Sequence, residues 1–537
     1  MEPTRPAPPA APSPQPFQEL LPPMTAHEAS VEANRCLYCY DAPCLQACPT
    51  HIDIPTFIRK IATGNLRGSA RTILESNFLG GTCARVCPVQ ELCEGACVLG
   101  PDHTPIQIGR LQRHAVDHVQ ERGIQLFTPA PATGRRVAVV GSGPAGISAS
   151  AELAKAGHDV TLYEKRELGG GLSTYGIIVL REPVEVALRE VQAVRDLGVT
   201  VVTGHELTTR PDLDDLLTTN DAVILALGLG AVPAIGIPGE DHILDGLSVI
   251  EASKMEQPTG VGTRAVIIGA GNTAVDAATI ARRSGADTLM VYRRTEREMT
   301  AYHHEYLFAL SEGITFSFLT QPVEVLHEGG QVTGLRCVRM GLGAPDASGR
   351  ARPEPIPGSD FVIPCDTVIS AIGQEKPALA ATLGLDLDGG YIRVDDTLQT
   401  SLPRVYAAGD CVRARGNAST VMAVQDGKIA AASIERALGR TPHVTLKPTP
   451  PAEVREHPLY IEAHGPVPTG PNQTAPWPTR PSRRPTMADL SIDFAGIRSP
   501  NPFWLASAPP PTAARRSTAP SSTAGAAPSG RPSARPC

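Results

Sequence analysis

Val137-Ala138-Val139-Val140-Gly141-Ser142-Gly143-Pro144-Ala145-Gly146 reads as an apolar strand running into a glycine loop and then a helix. Gly141 allows a tight turn, Gly143 lets the backbone approach a pyrophosphate, and Gly146 permits close packing of helix on strand. With Ser142, Pro144 and Ala145 they form a loop whose phosphate would sit at the positive end of the helix. About 20 residues on, where such folds carry an acid, Val160-Thr161-Leu162-Tyr163 ends in Glu164, placed to accept hydrogen bonds from a ribose. The combination predicts an α/β fold, a doubly wound parallel sheet that binds a dinucleotide.

A second strand and glycine loop follows in Val266-Ile267-Ile268-Gly269-Ala270-Gly271-Asn272-Thr273-Ala274-Val275-Asp276, with Ala274 where a third glycine would fall. Its next strand, Thr288 to Tyr292, ends in Arg293 and Arg294 rather than an acid. Arginines there can clasp a 2′-phosphate and favour NADP; a solvated basic turn is the other reading. Thr367 to Ala371 forms a third apolar strand, and the block from Val405 to Leu438 returns to the first fold, so one nucleotide domain interrupts another. Two such folds in one chain point to a flavin and a nicotinamide. Val405-Tyr406-Ala407-Ala408-Gly409-Asp410-Cys411 resembles the late flavin motif of disulfide-reductase-like flavoproteins, which implies that Gly409 and Asp410 contact the flavin, the acid at its ribityl chain. The nucleotide domains hold no Cys-x-x-Cys pair, which disfavours a thioredoxin reductase and leaves the electrons needing another exit.

The cysteines offer one. Of twelve, eight lie between Cys36 and Cys97, spaced Cys36-x2-Cys39-x4-Cys44-x3-Cys48-Pro49 and Cys83-x3-Cys87-Pro88-x4-Cys93-x3-Cys97. Such runs resemble ferredoxin spacing. Soft thiolates suit iron–sulfur clusters or zinc, and a flavin, which takes two electrons together and releases them singly, suits the clusters better. The formal charge of −7 argues against nucleic acid as a partner. No apolar run reaches the roughly 20 residues of a membrane helix. Met1 to Pro23 is Pro- and Ala-rich without the apolar core of a secretory signal, so a cytoplasmic location is expected.

Residues 31 to about 440 resemble the NAD(P)H/FAD iron–sulfur subunit of bacterial dihydropyrimidine dehydrogenase and, more distantly, the glutamate synthase small subunit. The resemblance is carried by Cys36-Leu37-Tyr38-Cys39-Tyr40-Asp41-Ala42-Pro43-Cys44, Ala47-Cys48-Pro49-Thr50 and Glu91-Leu92-Cys93-Glu94-Gly95-Ala96-Cys97. It implies two 4Fe-4S clusters, one on Cys36, Cys39, Cys44 and Cys97, the other on Cys48, Cys87, Cys93 and Gln112, with Cys83 left over as a buried thiol. It implies FAD contacts at Glu164, Lys165, Leu172 and Arg181, although Ile178-Val179-Leu180 and Glu182 depart from the family pattern around Arg181. For NAD(P)H it implies Ala270, Gly271, Asn272, Thr273, Arg293, Arg294, Ala371, Ile372 and Gly373. A third phosphate-binding arginine of the eukaryotic enzyme falls on Thr300, so the choice between NADH and NADPH stays open.

The expected organisation is a helical iron–sulfur domain followed by two nested Rossmann-like domains, with disordered termini. A disordered leader covers 1–25, the cluster domain 26–130, the FAD domain 131–257 and 373–445, and the NAD(P) domain 258–372. A linker is expected over 446–486, and 487–508 resembles the start of the FMN barrel that reduces the pyrimidine. The Ala/Pro/Ser/Arg-rich tail 509–537 is expected to be disordered and is read as frameshifted. If Ser529-Gly530-Arg531-Pro532-Ser533 is encoded TCT GGA AGA CCC TCG, reading from the last base of a CCG codon for Pro528 gives Val-Trp-Lys-Thr-Leu, as the barrel family carries near its start. The implied role is electron input from NAD(P)H through FAD and the clusters to an FMN-containing partner in a hetero-oligomer. The alternatives are a glutamate synthase small subunit or a truncated, unproductive fusion product.

Overall fold

The computed structural model describes residues 17–345, 351–412, 418–444, 446, 492–494 and 497–499. The N-terminal part is helical: α1 (Ala26–Asn34), α2 (Pro43–Ala47), α3 (Ile54–Ala62), α4 (Leu66–Ser76), α5 (Gly80–Val86) and α6 (Ile108–Gln120). Local sequence explains the helices. Thr25 and Glu28 form a capping box on α1, and Asp53 caps α3. Ile54, Phe57, Ile58 and Ile61 recur at helical spacing on the buried face of α3 and meet Leu111, Ala115 and Val119 of α6 in one core.

The first nucleotide fold runs β1 (Arg136–Val140), α7 (Pro144–Lys155), β2 (Asp159–Tyr163), α8 (Leu172–Tyr175), α9 (Val184–Asp196), β3 (Thr200–Val202), α10 (Arg210–Thr219) and β4 (Ala222–Leu225). The second runs β5 (Leu244–Asp245), α11 (Gly246–Lys254), β6 (Arg264–Ile268), α12 (Asn272–Arg283), β7 (Asp287–Tyr292), α13 (His303–Ser311) and β8 (Thr315–Phe318). An antiparallel extension follows, formed by β9 (Thr320–Glu328), β10 (Gln331–Pro345), β11 (Ala351–Pro355) and β12 (Phe361–Ile363). Then β13 (Thr367–Ser370) rejoins the second sheet. After α14 (Leu379–Thr382) and the small hairpin β14 (Leu387–Asp388) and β15 (Tyr391–Ile392), β16 (Val405–Ala407) and α15 (Thr420–Ala437) complete the first fold.

The two five-stranded sheets have the orders β16-β4-β1-β2-β3 and β5-β13-β6-β7-β8. Every pairing in them is parallel, and the central strands β1, β4, β6 and β13 are nearly wholly buried, as apolar Val/Ile/Ala runs require. Val405 stands opposite Val223 across the whole inserted fold, which is the predicted nesting. The expected boundary at 258 needs correction, because Leu244 pairs with Ile369 and so β5 already belongs to the second sheet. A two-residue strand ahead of a short helix carries too little periodicity to be read in advance.

The leader also needs correction. Residues 17–25 are held against the helical domain rather than free of it. Glu19 pairs with Arg85 at 3.1 Å and with Arg113 at 2.5 Å, the Leu21 carbonyl accepts from Arg113, and Leu20 N donates to the Leu180 carbonyl at 2.8 Å. The cause is one acid meeting two arginines that α5 and α6 present together. The expected disorder over 1–16, the linker 446–486 apart from 446, and the tail 509–537 lie outside the described residues. In a second unit, β17 (Ile492–Phe494) pairs antiparallel with β18 (Ile497–Ser499) within the stretch that resembles a barrel start.

Helix α15 ties the first fold together. Gly427 presses it onto α7, where an added Cβ would lie 2.3 Å from the Ala145 carbonyl oxygen and 2.9 Å from Ala149 N. The next residue, Lys428, is fully buried and donates to the carbonyls of Ser76 (2.7 Å) and Thr50 (3.1 Å) in the helical domain. Gly427→Ala is therefore expected to lower stability by about 1–3 kcal/mol through overpacking. A urea melt of the variant beside the parent chain measures this.

Candidate functional site

The glycine loop after β1 has the shape its sequence demands. Gly141 has φ +103°, and a Cβ there would lie 2.2 Å from the Ala226 carbonyl oxygen; at Gly146 it would lie 1.9 Å from that of Gly141. At Gly143, by contrast, an added Cβ meets nothing within 4 Å. That opening, at the N-terminus of α7, is where a pyrophosphate fits. Gly171, φ +59°, brings the loop before α8 against Gly143, and Leu172 begins that helix 41% exposed.

Glu164 is buried at the end of β2. Its Oε2 accepts from Ser142 N (3.1 Å) and Oγ (2.5 Å), and its Oε1 from Arg166 N (2.9 Å), which leaves acceptor capacity on Oε1 for a ribose hydroxyl. Lys165 beside it is exposed and lies 3.8 Å from Glu206. Across the loop, Gly409 has φ +81° and donates to Asp426, while the Asp410 carboxyl makes no hydrogen bond among the described residues and is pushed up by burial. A half-buried carboxyl that none of the described residues engages suits a polyol hydroxyl. Arg181 departs from expectation. Its guanidinium lies between Asp276 (3.0 Å) of α12 and Glu305 of α13, so two carboxylates of the second fold claim it before any flavin does.

In the second fold Gly269 has φ +135° and a Cβ would strike the Ala371 carbonyl oxygen, while Ala274 takes the third position with its methyl buried on α12. Buried Ala270 accepts at its carbonyl from Thr300 N and Ala301 N, and Asn272 Oδ1 accepts from Tyr302 N, so the 300–302 loop is tied to the edge of the Gly271–Thr273 turn. Ile372 is exposed, with Gly373 at φ +106° beside it. The two arginines after β7 separate. Arg293 is exposed, but Arg294 is buried and its Nε donates to the Ala351 carbonyl at 3.0 Å in the antiparallel extension. Only Arg293 is left facing solvent for a 2′-phosphate.

The thiols fall into two groups. Cys36, Cys39, Cys44 and Cys97 line one pocket walled by Leu37, Ile54, Ile58 and Ile108, where burial and the neighbouring thiols push Cys44 up to about 12. Cys48, Cys87 and Cys93 form the other, where burial and then neighbouring thiols, Cys48 among them, raise Cys87 and Cys93. Gln112, buried on α6, donates Nε2 to the Gly80 carbonyl at 2.9 Å, which leaves Oε1 as the atom that could serve a metal beside the helix that ends at Cys87. Cys83, the thiol expected to be left over, is buried close to Cys48 and Cys87 and its pKa is raised by burial. Among the described residues no three His, Cys, Asp or Glu side chains converge as tightly as a single ion needs. Two wider groups of soft, buried and half-buried donors fit polynuclear iron–sulfur clusters.

All three parts meet at a cavity of about 600 Å³ lined by Cys87 and Pro88, by Leu180 and Arg181, and by Asn272 and Tyr302. Burial, with the charges of Cys87 and Glu91, raises Tyr302, which places this ring beside the second thiol group. Tyr302 was not found from sequence, since no motif marks a lone aromatic at a helix start. Residues 13–124 match the family described as dihydropyrimidine dehydrogenase domain II, 4Fe-4S cluster, and residues 135–427 match the pyridine nucleotide-disulphide oxidoreductases. The chain belongs to this iron–sulfur flavoprotein family. It is 37% identical to an NADP(+)-dependent formate dehydrogenase subunit beta of Moorella thermoacetica, over 74% of this chain and 60% of that one, so it spans less than two thirds of that relative. It is 35% identical to the NAD-dependent dihydropyrimidine dehydrogenase subunit PreT of Escherichia coli K12, over 79% of this chain and 97% of PreT. With the Escherichia coli K12 glutamate synthase [NADPH] small chain it shares 33% identity over 78% and 93%. FAD, NAD(P)H and 4Fe-4S iron are the cofactors of this architecture, and the donors described above fit each of them. Among the described residues, no helix is long and apolar enough to cross a membrane.

The glycines separate folding from binding. Gly143→Ala is expected to leave the melting curve unchanged while weakening FAD binding at least about tenfold, whereas Gly146→Ala, whose methyl would meet backbone, lowers stability by about 1–3 kcal/mol. Fluorescence titration of the apoprotein with FAD, beside thermal melts, checks both.

Proposed function

We propose that this chain is the electron-input subunit of a dihydropyrimidine dehydrogenase-type enzyme. It would take electrons from NAD(P)H and pass them through FAD and two 4Fe-4S clusters to an FMN-containing partner that reduces uracil or thymine. The observation that carries this reading is the shared cavity, where the flavin fold, the nicotinamide fold and the Cys87 loop face one another. The 35% identity over almost the whole of PreT supports this destination for the electrons. FAD supplies the exchange of a hydride for two single electrons.

The chain's own residues would bind, orient and exclude water. The open side of Gly143 and the α7 N-terminus hold the pyrophosphate, Glu164 a ribose, and Asp410 the ribityl chain. The Gly271–Thr273 turn holds the nicotinamide nucleotide, Arg293 its 2′-phosphate when present, and Tyr302 keeps the nicotinamide side of the cavity dry. Cys36, Cys39, Cys44 and Cys97 would hold one cluster. Cys48, Cys87, Cys93 and Gln112 would hold the other. No general acid for a pyrimidine is assigned to this chain, because that step belongs to the partner. The likeness to the glutamate synthase small chain supports a second reading, with an amidotransferase as the electron acceptor.

The purified chain should oxidise NAD(P)H with artificial acceptors, and should reduce uracil only after an FMN subunit is added. Uracil reduction without a partner, or glutamate formation with a glutamate synthase large subunit in its place, contradicts the proposal. Steady-state kinetics also test the arginine: Arg293→Ala should raise KM for NADPH about tenfold, the loss of roughly 1.5 kcal/mol for one charge-assisted hydrogen bond. The same substitution should leave KM for NADH unchanged.

A further inference from the structure

Behind the Leu180–Arg181 wall of the shared cavity lies a second cluster of ionisable groups that the electron path does not use. Glu182 and Glu190 are fully buried, and so is Thr82 of α5 between them. Thr82 Oγ lies 2.5 Å from Glu182 Oε1 and 2.6 Å from Glu190 Oε2. A hydroxyl has one proton and can donate to only one of those oxygens. The other short contact must run the opposite way, from a carboxylic acid O–H to Thr82 Oγ. The backbone decides the direction. Glu190 Oε1 accepts from Gly81 N (2.9 Å) and Thr82 N (3.0 Å), which favours its charged form at the start of α5. Glu182 receives no backbone donor, and the Ser173 hydroxyl is its other polar neighbour. The chain of bonds therefore reads Glu182 Oε1–H to Thr82 Oγ, and Thr82 O–H to Glu190 Oε2.

We propose that Glu182 and Glu190 share one proton across Thr82 and gain a second when an electron reaches the neighbouring cysteine site, coupling electron passage to proton uptake. This deepens the functional reading and rests on it for the position of the electron.

Geometry supplies the coupling. Thr82 precedes Cys83 on α5, and the same helix ends at Cys87, five residues on, about 7.5 Å along its axis. The groups facing the pair are Lys254 of α11 and Arg85 and Cys83 of α5. Burial raises both acids, against the opposing charges of Lys254 and Arg85 at Glu182 and against the Thr82 and Gly81 donors at Glu190. At about 10 Å in a protein interior, one added negative charge changes proton affinity on the order of tenfold.

The balance is simple. NAD(P)H yields NAD(P)⁺, two electrons and one proton. As one electron arrives beside α5, the pair takes one proton from solvent, an O–H bond forming on the Glu190 carboxylate. As the electron moves on to the partner's acceptor, that bond breaks and the proton returns to solvent.

Potentiometric titration of the reconstituted full chain, followed by EPR at pH 6 to 9, tests this. The wild-type potential of the Cys87-side cluster should fall across that range by a total on the order of 59 mV, the one-electron equivalent of tenfold coupling. The double variant Glu182→Gln/Glu190→Gln should abolish the fall, because no carboxylate is left to take the proton, while Thr82→Ser should retain it. A flat wild-type response, or a double variant with the wild-type slope, overturns the proposal. Should the double variant not fold, infrared spectra of the wild type and Thr82→Val in H₂O and D₂O decide. A buried protonated-carboxyl stretch present at neutral pH in wild type and altered in Thr82→Val is expected, and its absence refutes the shared proton. A chain that assembles no cluster refutes the reading of the cysteines instead, and the same infrared measurement on that chain still decides the shared proton.

Discussion

The fixed docking of the cysteine-rich helices onto the flavin fold is the constraint on which the rest of the molecule depends. Electrons passing between cofactors on different domains need separations that do not wander. Lys428 supplies much of that rigidity. Burial lowers its ammonium to about 8 against the opposing charge of Glu152, yet its hydrogen bonds to the carbonyls of Thr50 and Ser76 hold α15 in the helical domain. Such a group is costly to bury and still costlier to leave unpaired. Around it the Glu190 carboxylate anchors the start of α5, and Glu19 clasps Arg85 and Arg113 from outside. The seam is polar, which makes it specific in register.

The nested topology serves the same end. The second fold enters after β4 and leaves before β16, so both of its connections reach the first sheet. Arg181, on the segment between α8 and α9, is held by Asp276 and Glu305, and Arg166 is paired with Glu251 of α11. These ion pairs hold the nicotinamide fold against the flavin fold, with Asn272 of the Gly271 turn and the Leu180–Arg181 segment on the same cavity. The glycines show where backbone needs the space and where a ligand does: Gly141 and Gly146 are closed off by carbonyl oxygens, while Gly143 is open.

Much of this was legible in advance because each signal had a local cause. The strands Arg136–Val140 and Thr367–Ser370 are short apolar runs next to glycine turns, and the cysteine spacings repeat with proline beside Cys48 and Cys87. What escaped reading depends on partners distant in sequence. Leu244–Asp245 is a strand only because Ile369 and Ser370 lie beside it. The leader is ordered by arginines more than sixty residues away. Arg293 and Arg294 look equivalent in sequence, and only the Ala351 carbonyl in the antiparallel extension separates them. The Thr82–Glu182–Glu190 triad joins two domains, so no window of sequence contains it.

The central claim is that nicotinamide-derived electrons leave the flavin through the thiols between Cys36 and Cys97. Anaerobic titration of the reconstituted chain with NADH or NADPH, followed by optical and EPR spectroscopy, tests it most directly. The account predicts bleaching of the flavin together with the appearance of reduced iron–sulfur signals at the same nucleotide equivalents. A flavin that bleaches fully while assembled clusters stay oxidised would contradict it.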